Sequence, residues 1–222
     1  MHSLTEENYL KALFNLSDTR GEVNVNELSR HLGIKMPTVT SMMKKLSEKG
    51  LVFYESYRPL RLTAKGQREA GKIIRKHRLT EMYLVQVMGF GWDEVHQIAE
   101  QIEHIHSPAF FSRMDEMLGF PRIDPHGSPI PDRNGRMERI PYFRLSDCQP
   151  GDCLKICAVE KTSDEFLRFL NARGVGLGVE ITVLAREEFD GSMRLAYNPD
   201  REEVFTLSAT ERLLGERKKR KS

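Results

Sequence analysis

His77, Glu81, His96, Glu100, Glu103 and His104 are side chains of the kinds that hold divalent metals, and they recur at helical spacing in the middle third of the chain. His77 and Glu81 stand four apart, so both project from one helical face. His96, Glu100, Glu103 and His104 follow at i, i+4, i+7 and i+8, again on a single face. Imidazoles and carboxylates this dense are costly to bury unless something cationic satisfies them. Oxygen and imidazole donors favour Mn²⁺ or Fe²⁺, while Zn²⁺ or Co²⁺ can enter the same kind of site in vitro. The cysteines Cys148, Cys153 and Cys157 are odd in number and fit neither a disulfide framework nor a paired C-x-x-C zinc site, so they read as reduced thiols.

A second group of residues points to nucleic acid. The segment from Lys35 to Arg78 is rich in Lys and Arg and poor in acids, whereas Glu, Asp and His gather between His77 and Asp115. Within the basic segment, NELSRHLG predicts a short helix stopped at Gly33. IKMPTVTSMMKKLSEKG predicts a second helix, with Pro37 in its first turn and Gly50 at its end. LVFYESYRPLRLT then reads as a two-stranded hairpin. This order is that of a winged helix-turn-helix, whose second helix enters the major groove. Lys35, Pro37, Thr38, Thr40 and Ser41 open that helix and are the candidate base contacts; the Thr38 methyl and Pro37 ring suit thymine methyls. Lys44, Lys45 and the wing residues Tyr57, Arg58 and Arg61 suit phosphates, which position a protein without reading sequence.

The elements that must hold these groups are legible around them. Leu4, Leu10, Leu13 and Phe14 predict a first helix, with Ser3 and Glu6 as its capping box. A long helix is expected from Thr63 to Gly89, a second from Asp93 to Ser107, and a shorter one from Pro108 to Leu118. The Pro/Gly-rich GFPRIDPHGSPIPD marks a domain boundary. In the last third, PGDCLKICAV and VGLGVEITVLAREEFDGSMRLAYN read as short strands, with a helix at SDEFLRFLNARG. The expected fold is mainly α with a small β part. It comprises a winged helix-turn-helix over 1–62, a helical metal-binding and dimerisation domain over 63–140, an SH3-like (FeoA-like) β-barrel over 141–214 and a basic tail over 215–222. Leu79, Met82, Tyr83, Leu84, Val87, Met88, Phe110, Phe111, Met114 and Leu118 exceed one small domain's needs, so part of this surface is assigned to a homodimer interface. A net charge of +2 and 39% hydrophobic residues allow packed cores. No apolar run approaches the roughly 18 residues of a membrane span, and MHSLTEENYL has no signal-peptide core, so a cytoplasmic protein without membrane contact is expected.

TEENYLKALF, PTVTSMMKKLSEKGLV, LTAKG, RKHRLTEMYL, EQIEHIHS and DPHGSPIPD resemble the diphtheria toxin repressor and manganese transport regulator family of metal-dependent repressors. The resemblance covers residues 1–140 closely and the remainder loosely. It implies an activating site made by Asn8 with Glu100, Glu103 and His104, so that one metal ties the first helix to the acidic one. It also implies a neighbouring site of His77, Glu81 and His96, completed from the C-terminal barrel by Asp164 or Glu165, with Glu160 as a further candidate. Iron-sensing members have sulfur ligands at the positions of Asn8 and Glu100, and manganese-sensing members have carboxylates at both. Lys11 stands where manganese members carry a further acid. His106 lies nearby and is left outside the site. The implied function is a metal-activated repressor, not an enzyme, that binds double-stranded operator DNA with an inverted repeat as a homodimer and controls metal uptake or efflux genes. Two other readings of the same residues stay open: a winged-helix regulator answering a small organic ligand, and a metal hydrolase.

Overall fold

Ser3 and Glu6 fix where the first helix begins. The Glu6 backbone N–H donates to Ser3 Oγ at 3.3 Å and the Ser3 N–H donates to Glu6 Oε2 at 3.1 Å, the reciprocal cap expected from the sequence. From this cap α1 runs over Leu4–Ser17. One side of α1 carries Glu6, Tyr9, Leu10 and Leu13, all buried; the other presents Glu7, Asn8 and Lys11. Helix α2 (Val25–Leu32) ends at Gly33, which takes the left-handed φ of 65° that a side chain disfavours. Helix α3 (Met36–Glu48) starts with Pro37 in its first turn, where the missing N–H costs nothing. Val39, Met43 and Leu46 of α3 pack with Leu10, Leu13 and Leu28 in one core. The wing is the antiparallel pair β1 (Val52–Phe53) and β2 (Arg61–Leu62), extended by a bridge between Val23 and Leu60.

The structure is a computed structural model that describes residues 2–17, 21–138, 140–160, 162–199 and 201–218. It divides into two units, one of residues 1–83, 97–122 and 130–138, the other of 84–96, 123–129 and 139–222. In the first unit the winged helix-turn-helix is joined by most of α4 (Ala64–Gln86), α5 (His96–Ile102) and α6 (Pro108–Met117). Leu79 of α4 packs with Phe111 and Met114 of α6 and with Ile130 in a small separate core. Gly71 permits the close approach of a loop to α4, since a Cβ there would lie 2.0 Å from the Gly135 carbonyl oxygen.

Two helices are shorter than the sequence predicts. Helix α4 stops at Gln86 rather than Gly89, because Gly89 turns to a φ of 75° and the Phe90 N–H closes onto Leu84 O. Helix α5 begins at His96 rather than Asp93, because Glu94 folds back: its carboxylate accepts from the Gly91 N–H at 2.8 Å. At the other end Ile105 N bonds Ile102 O, a tighter i→i+3 closure, so Glu103 and His104 lie in a turn just past the helix. The Glu103 N–H still reaches Ala99 O at 2.9 Å, which keeps its side chain close to helical register with Glu100.

The second unit is the C-terminal domain. Its sheet has the order β3-β8-β4-β5-β6-β7, with β3 Phe143–Arg144, β4 Cys153–Val159, β5 Glu180–Arg186, β6 Met193–Tyr197, β7 Arg201–Phe205 and β8 Leu213–Lys218. All pairings are antiparallel. Helix α7 (Asp164–Arg173), capped by Ser163 and stopped at Gly174, buries Phe166, Leu167 and Leu170 against this sheet's core; the short α8 (Leu207–Thr210) precedes β8. Strand β8 runs through the start of the segment expected as a basic tail, since Glu216, Arg217 and Lys218 pair with Lys155, Leu154 and Cys153. Residues 219–222 of that tail lie outside the described residues.

Glu6 also ties α1 to α3. Its Oε1 accepts from Lys49 Nζ at 2.6 Å and pairs with Lys45 Nζ at 3.0 Å. Burial raises its pKa, but the two ammonium groups and the Ser3 N–H outweigh that and hold it down at about 2. A depressed folded-state pKa stabilises the fold above the unfolded value and is lost as pH falls towards 2. Glu6→Gln keeps the cap and removes the charge, so it is expected to cost about 1–3 kcal/mol at neutral pH. It should also flatten the stability change between about pH 4.5 and 2, measured by denaturant unfolding across that range.

Candidate metal centre and nucleic-acid interface

Glu103 is the focus of the polar cluster in the first unit and is fully buried. Its Oε2 lies 2.5 Å from His77 Nδ1, and its Oε1 accepts from Lys11 Nζ at 2.7 Å. Lys11 Nζ also donates to Glu100 Oε1 at 2.6 Å, so one ammonium bridges the carboxylates on either end of the α5 turn. The second nitrogen of His77 meets Glu81 Oε1 at 3.0 Å. Burial pulls the His77 imidazole down, yet the hydrogen bonds to Glu103 and Glu81 outweigh it and hold its pKa up at about 9. Burial pushes Glu103 up, and His77 and Lys11 more than reverse that, leaving it below the usual carboxylate range.

His104 is held by a residue the sequence reading did not single out. Glu7 Oε2 lies 2.7 Å from His104 Nδ1. A carboxylate only accepts, so the Nδ1 carries the proton and Nε2 is the ring nitrogen left to serve as a ligand. That nitrogen faces Glu103 Oε1 at 3.6 Å, too long for a hydrogen bond. A carboxylate fixing the far nitrogen is the usual support of a metal-binding histidine. Beside Glu7 on α1, Asn8 Oδ1 is buried and has no hydrogen-bond partner. An orphaned carbonyl oxygen costs about 1–3 kcal/mol and is relieved by a cation. Asn8, Glu100, Glu103 and His104 therefore supply oxygen, oxygen, oxygen and nitrogen donors of the kind a hard divalent ion takes.

The remaining predicted metal residues are placed as follows. His77 and Glu81 share a face of α4 and are both buried. His96 is exposed and opens α5 at the end of the 84–96 segment of the second unit. Asp164 and Glu165 occupy the first turn of α7, also in the second unit, and the Glu165 side chain is 81% exposed. Glu160 is paired with Arg144 at 2.8 Å.

The nucleic-acid face lies on α2, α3 and the wing. Lys35, Pro37, Thr38 and Ser41 are exposed and Thr40 is half-buried at the start of α3, while Val39 and Met43 turn inward. A groove of about 890 Å³ runs between α3 and the wing, lined by Thr40, Lys44, Tyr57 and Arg58 together with Asn26 and Arg30 of α2. Tyr57 is fully exposed at the wing tip with a φ of 64°, in a turn closed by Arg58 N to Glu55 O. A bulky residue in the left-handed region is uncommon and costs backbone strain. Arg61 stacks over Phe53, with its guanidinium 5.8 Å from the ring centre. Lys45, expected on phosphate, pairs with Glu6 at 3.0 Å while its side chain stays 53% exposed.

Residues 1–60 match the iron dependent repressor N-terminal DNA binding domain, residues 63–132 the iron dependent repressor metal binding and dimerisation domain, and residues 143–211 the FeoA domain. A manganese-dependent transcriptional repressor solved in complex with manganese is 32% identical, superposes with a TM-score of 0.87, and matches over 95% of this chain and 98% of its own. The chain belongs to the diphtheria toxin repressor family of metal-dependent repressors. Within that family it is 28% identical to the diphtheria toxin repressor of Corynebacterium diphtheriae over 221 residues, 94% of this chain and 96% of the relative. It is 35% identical to the iron-dependent repressor IdeR of Mycobacterium leprae over 127 residues, 57% of this chain. The chain spans little more than half, 55%, of that mycobacterial relative's length.

An amide, Asn8, and a lysine, Lys11, stand on the same face of α1. Spacing offers a signal for this grouping, since Lys11 stands four residues from Glu7 and three from Asn8. Asn8→Asp adds the missing negative charge, and Mn²⁺ affinity measured by calorimetry is expected to rise about tenfold. An unchanged or weaker Kd would remove Asn8 from the site. Arg58→Ala should weaken binding to all duplex sequences alike and lower the slope of log affinity against log salt by about 1. A loss confined to one sequence would instead make Arg58 a base reader.

Proposed function

We propose that this protein is a transcriptional repressor switched on by Mn²⁺ or Fe²⁺, which binds an inverted-repeat operator as a homodimer and controls metal-homeostasis genes. The observation that carries this reading is the orphaned Asn8 Oδ1 on α1, set on the same face as the residues that engage Glu100, Glu103 and His104 of the α5 turn. A bound divalent ion would supply one point of strong attraction shared by both elements. Asn8 gives it a donor from the DNA-binding domain; Glu100, Glu103 and His104 give it donors from the dimerisation domain. Drawing these side chains together fixes α1, and α1 shares its core with α3 through Leu10, Leu13 and Leu46. The orientation of the recognition helix is thereby coupled to the metal centre.

Hard oxygen donors at Asn8, Glu100 and Glu103 favour Mn²⁺ or Fe²⁺; Zn²⁺ or Co²⁺ can enter the same kind of site in vitro. The manganese-bound relative supports manganese, and the iron-dependent relatives support iron. Dimerisation is supported by the matched dimerisation domain and by apolar side chains left exposed on and beside α6, among them Phe110, Met117 and Phe120. Paired recognition helices read half-sites about one helical turn apart, which an inverted repeat supplies. His77 and Glu81 would be the first unit's contribution to a second, supporting site in this reading. The matched relatives are repressors, which argues against the hydrolase alternative. Among the described residues no helix is long and apolar enough to cross a membrane, in keeping with a cytoplasmic regulator.

Fluorescence anisotropy with a labelled fragment of the protein's own promoter tests the reading. Adding Mn²⁺ or Fe²⁺ to chelator-treated protein is expected to tighten binding about 5–150-fold, with DNA tightening metal binding by the same factor. Equal affinity with and without metal would refute it.

A further inference from the structure

Lys11 holds the position of a cation within the cluster. Its ammonium is 2.6 Å from Glu100 Oε1 and 2.7 Å from Glu103 Oε1, and the lysine side chain is only 13% exposed. The Glu103 oxygen it occupies is the same Oε1 that faces His104 Nε2. Lys11 is three residues from Asn8 and four from Glu7, so the three side chains leave α1 together. The oxygens that would receive a divalent ion are thus already neutralised by a charge tethered to the chain itself.

We propose that Lys11 is a built-in competitor for the activating metal. This rests on the metal-centre reading above and adds a regulatory device to it. Without metal, Lys11 clamps Glu100 and Glu103 and keeps two adjacent carboxylates from repelling one another. For the centre to load, Lys11 must release at least Glu103 Oε1 and carry its ammonium to solvent. The tether makes the effective concentration of this competitor constant, so it shifts the metal threshold upward by a fixed factor. It also gives the metal-free protein a defined α1–α5 contact in place of a gap. The switch therefore exchanges one ionic clamp for another. An acid at position 11 would recruit a further cation, whereas lysine supplies one covalently.

The test compares wild-type protein with Lys11→Met and Lys11→Gln, without DNA, by calorimetric titration with Mn²⁺ and by thermal unfolding of the chelator-treated proteins. Both variants are expected to bind Mn²⁺ about tenfold more tightly than wild type, since two charge-assisted hydrogen bonds no longer oppose entry. Both should have a lower metal-free Tm and a larger rise in Tm on adding Mn²⁺. A variant that folds only when Mn²⁺ is supplied is the extreme of the same result and supports the proposal. Unchanged or weaker Mn²⁺ binding by either folded variant, with wild type binding normally, overturns the competitor role and leaves the metal centre standing. Failure of wild type and both variants to bind Mn²⁺, Fe²⁺ or Zn²⁺ overturns the metal centre and the competitor together.

Discussion

A fully buried carboxylate, that of Glu103, is the constraint around which the rest of this protein's regulatory half is arranged. An ionised carboxylate cannot be taken out of water alone; it needs charge partners and hydrogen bonds on both oxygens. Here His77 of α4 meets one oxygen and Lys11 of α1 meets the other. Those partners come from two further helices, so satisfying one charge draws three segments of chain to a point. Glu100 and Glu81 extend the same network outwards through Lys11 and His77. The arrangement needs positive charge at its centre, here supplied by Lys11 and His77.

The consequence for function follows from where α1 belongs. Its apolar side is part of the winged helix-turn-helix core, and Glu6 fastens it to Lys45 and Lys49 at the end of the recognition helix. Its polar side carries Glu7, Asn8 and Lys11 into the cluster. One helix thus has one face in the core of the DNA-binding domain and the other in the polar cluster, the two tasks proposed for it. Repulsion among the acids and attraction to whatever cation sits among them act on α1 directly, and α3 is one packed layer away. The proposed coupling needs no long-range pathway, because α1 itself touches both the cluster and the core that holds α3.

Much of this was legible in the sequence, for physical reasons that also explain what was missed. The winged helix-turn-helix was readable because Gly33, Pro37 and Gly50 punctuate it and the apolar residues between them keep strict period. The strands of the C-terminal domain were readable from Gly-separated β-branched runs. The helical spacing of His77 with Glu81, and of Glu100 with Glu103 and His104, announced a charged cluster. Spacing within one helix cannot show what another helix brings, so Glu7 behind His104 and the bridging position of Lys11 emerged only in three dimensions. The acidic helix was read too long because its periodic pattern continues beyond both ends, while Glu94 folds back on Gly91 at one end and Ile105 closes on Ile102 at the other. The tail was read too early because Glu216–Lys218 look like a charge run, yet their backbone completes a strand pairing with β4.

In the switch proposed above, a divalent ion and the Lys11 ammonium are alternative occupants of one cluster of donors. The most direct measurement is anomalous diffraction from crystals of the whole chain grown with Mn²⁺, compared with crystals grown in chelator. A manganese peak is expected among Asn8, Glu100, Glu103 and His104, with the Lys11 ammonium withdrawn from Glu103 in the loaded crystal and bridging Glu100 and Glu103 in the chelated one. Manganese bound elsewhere while Lys11 keeps both carboxylates would contradict it.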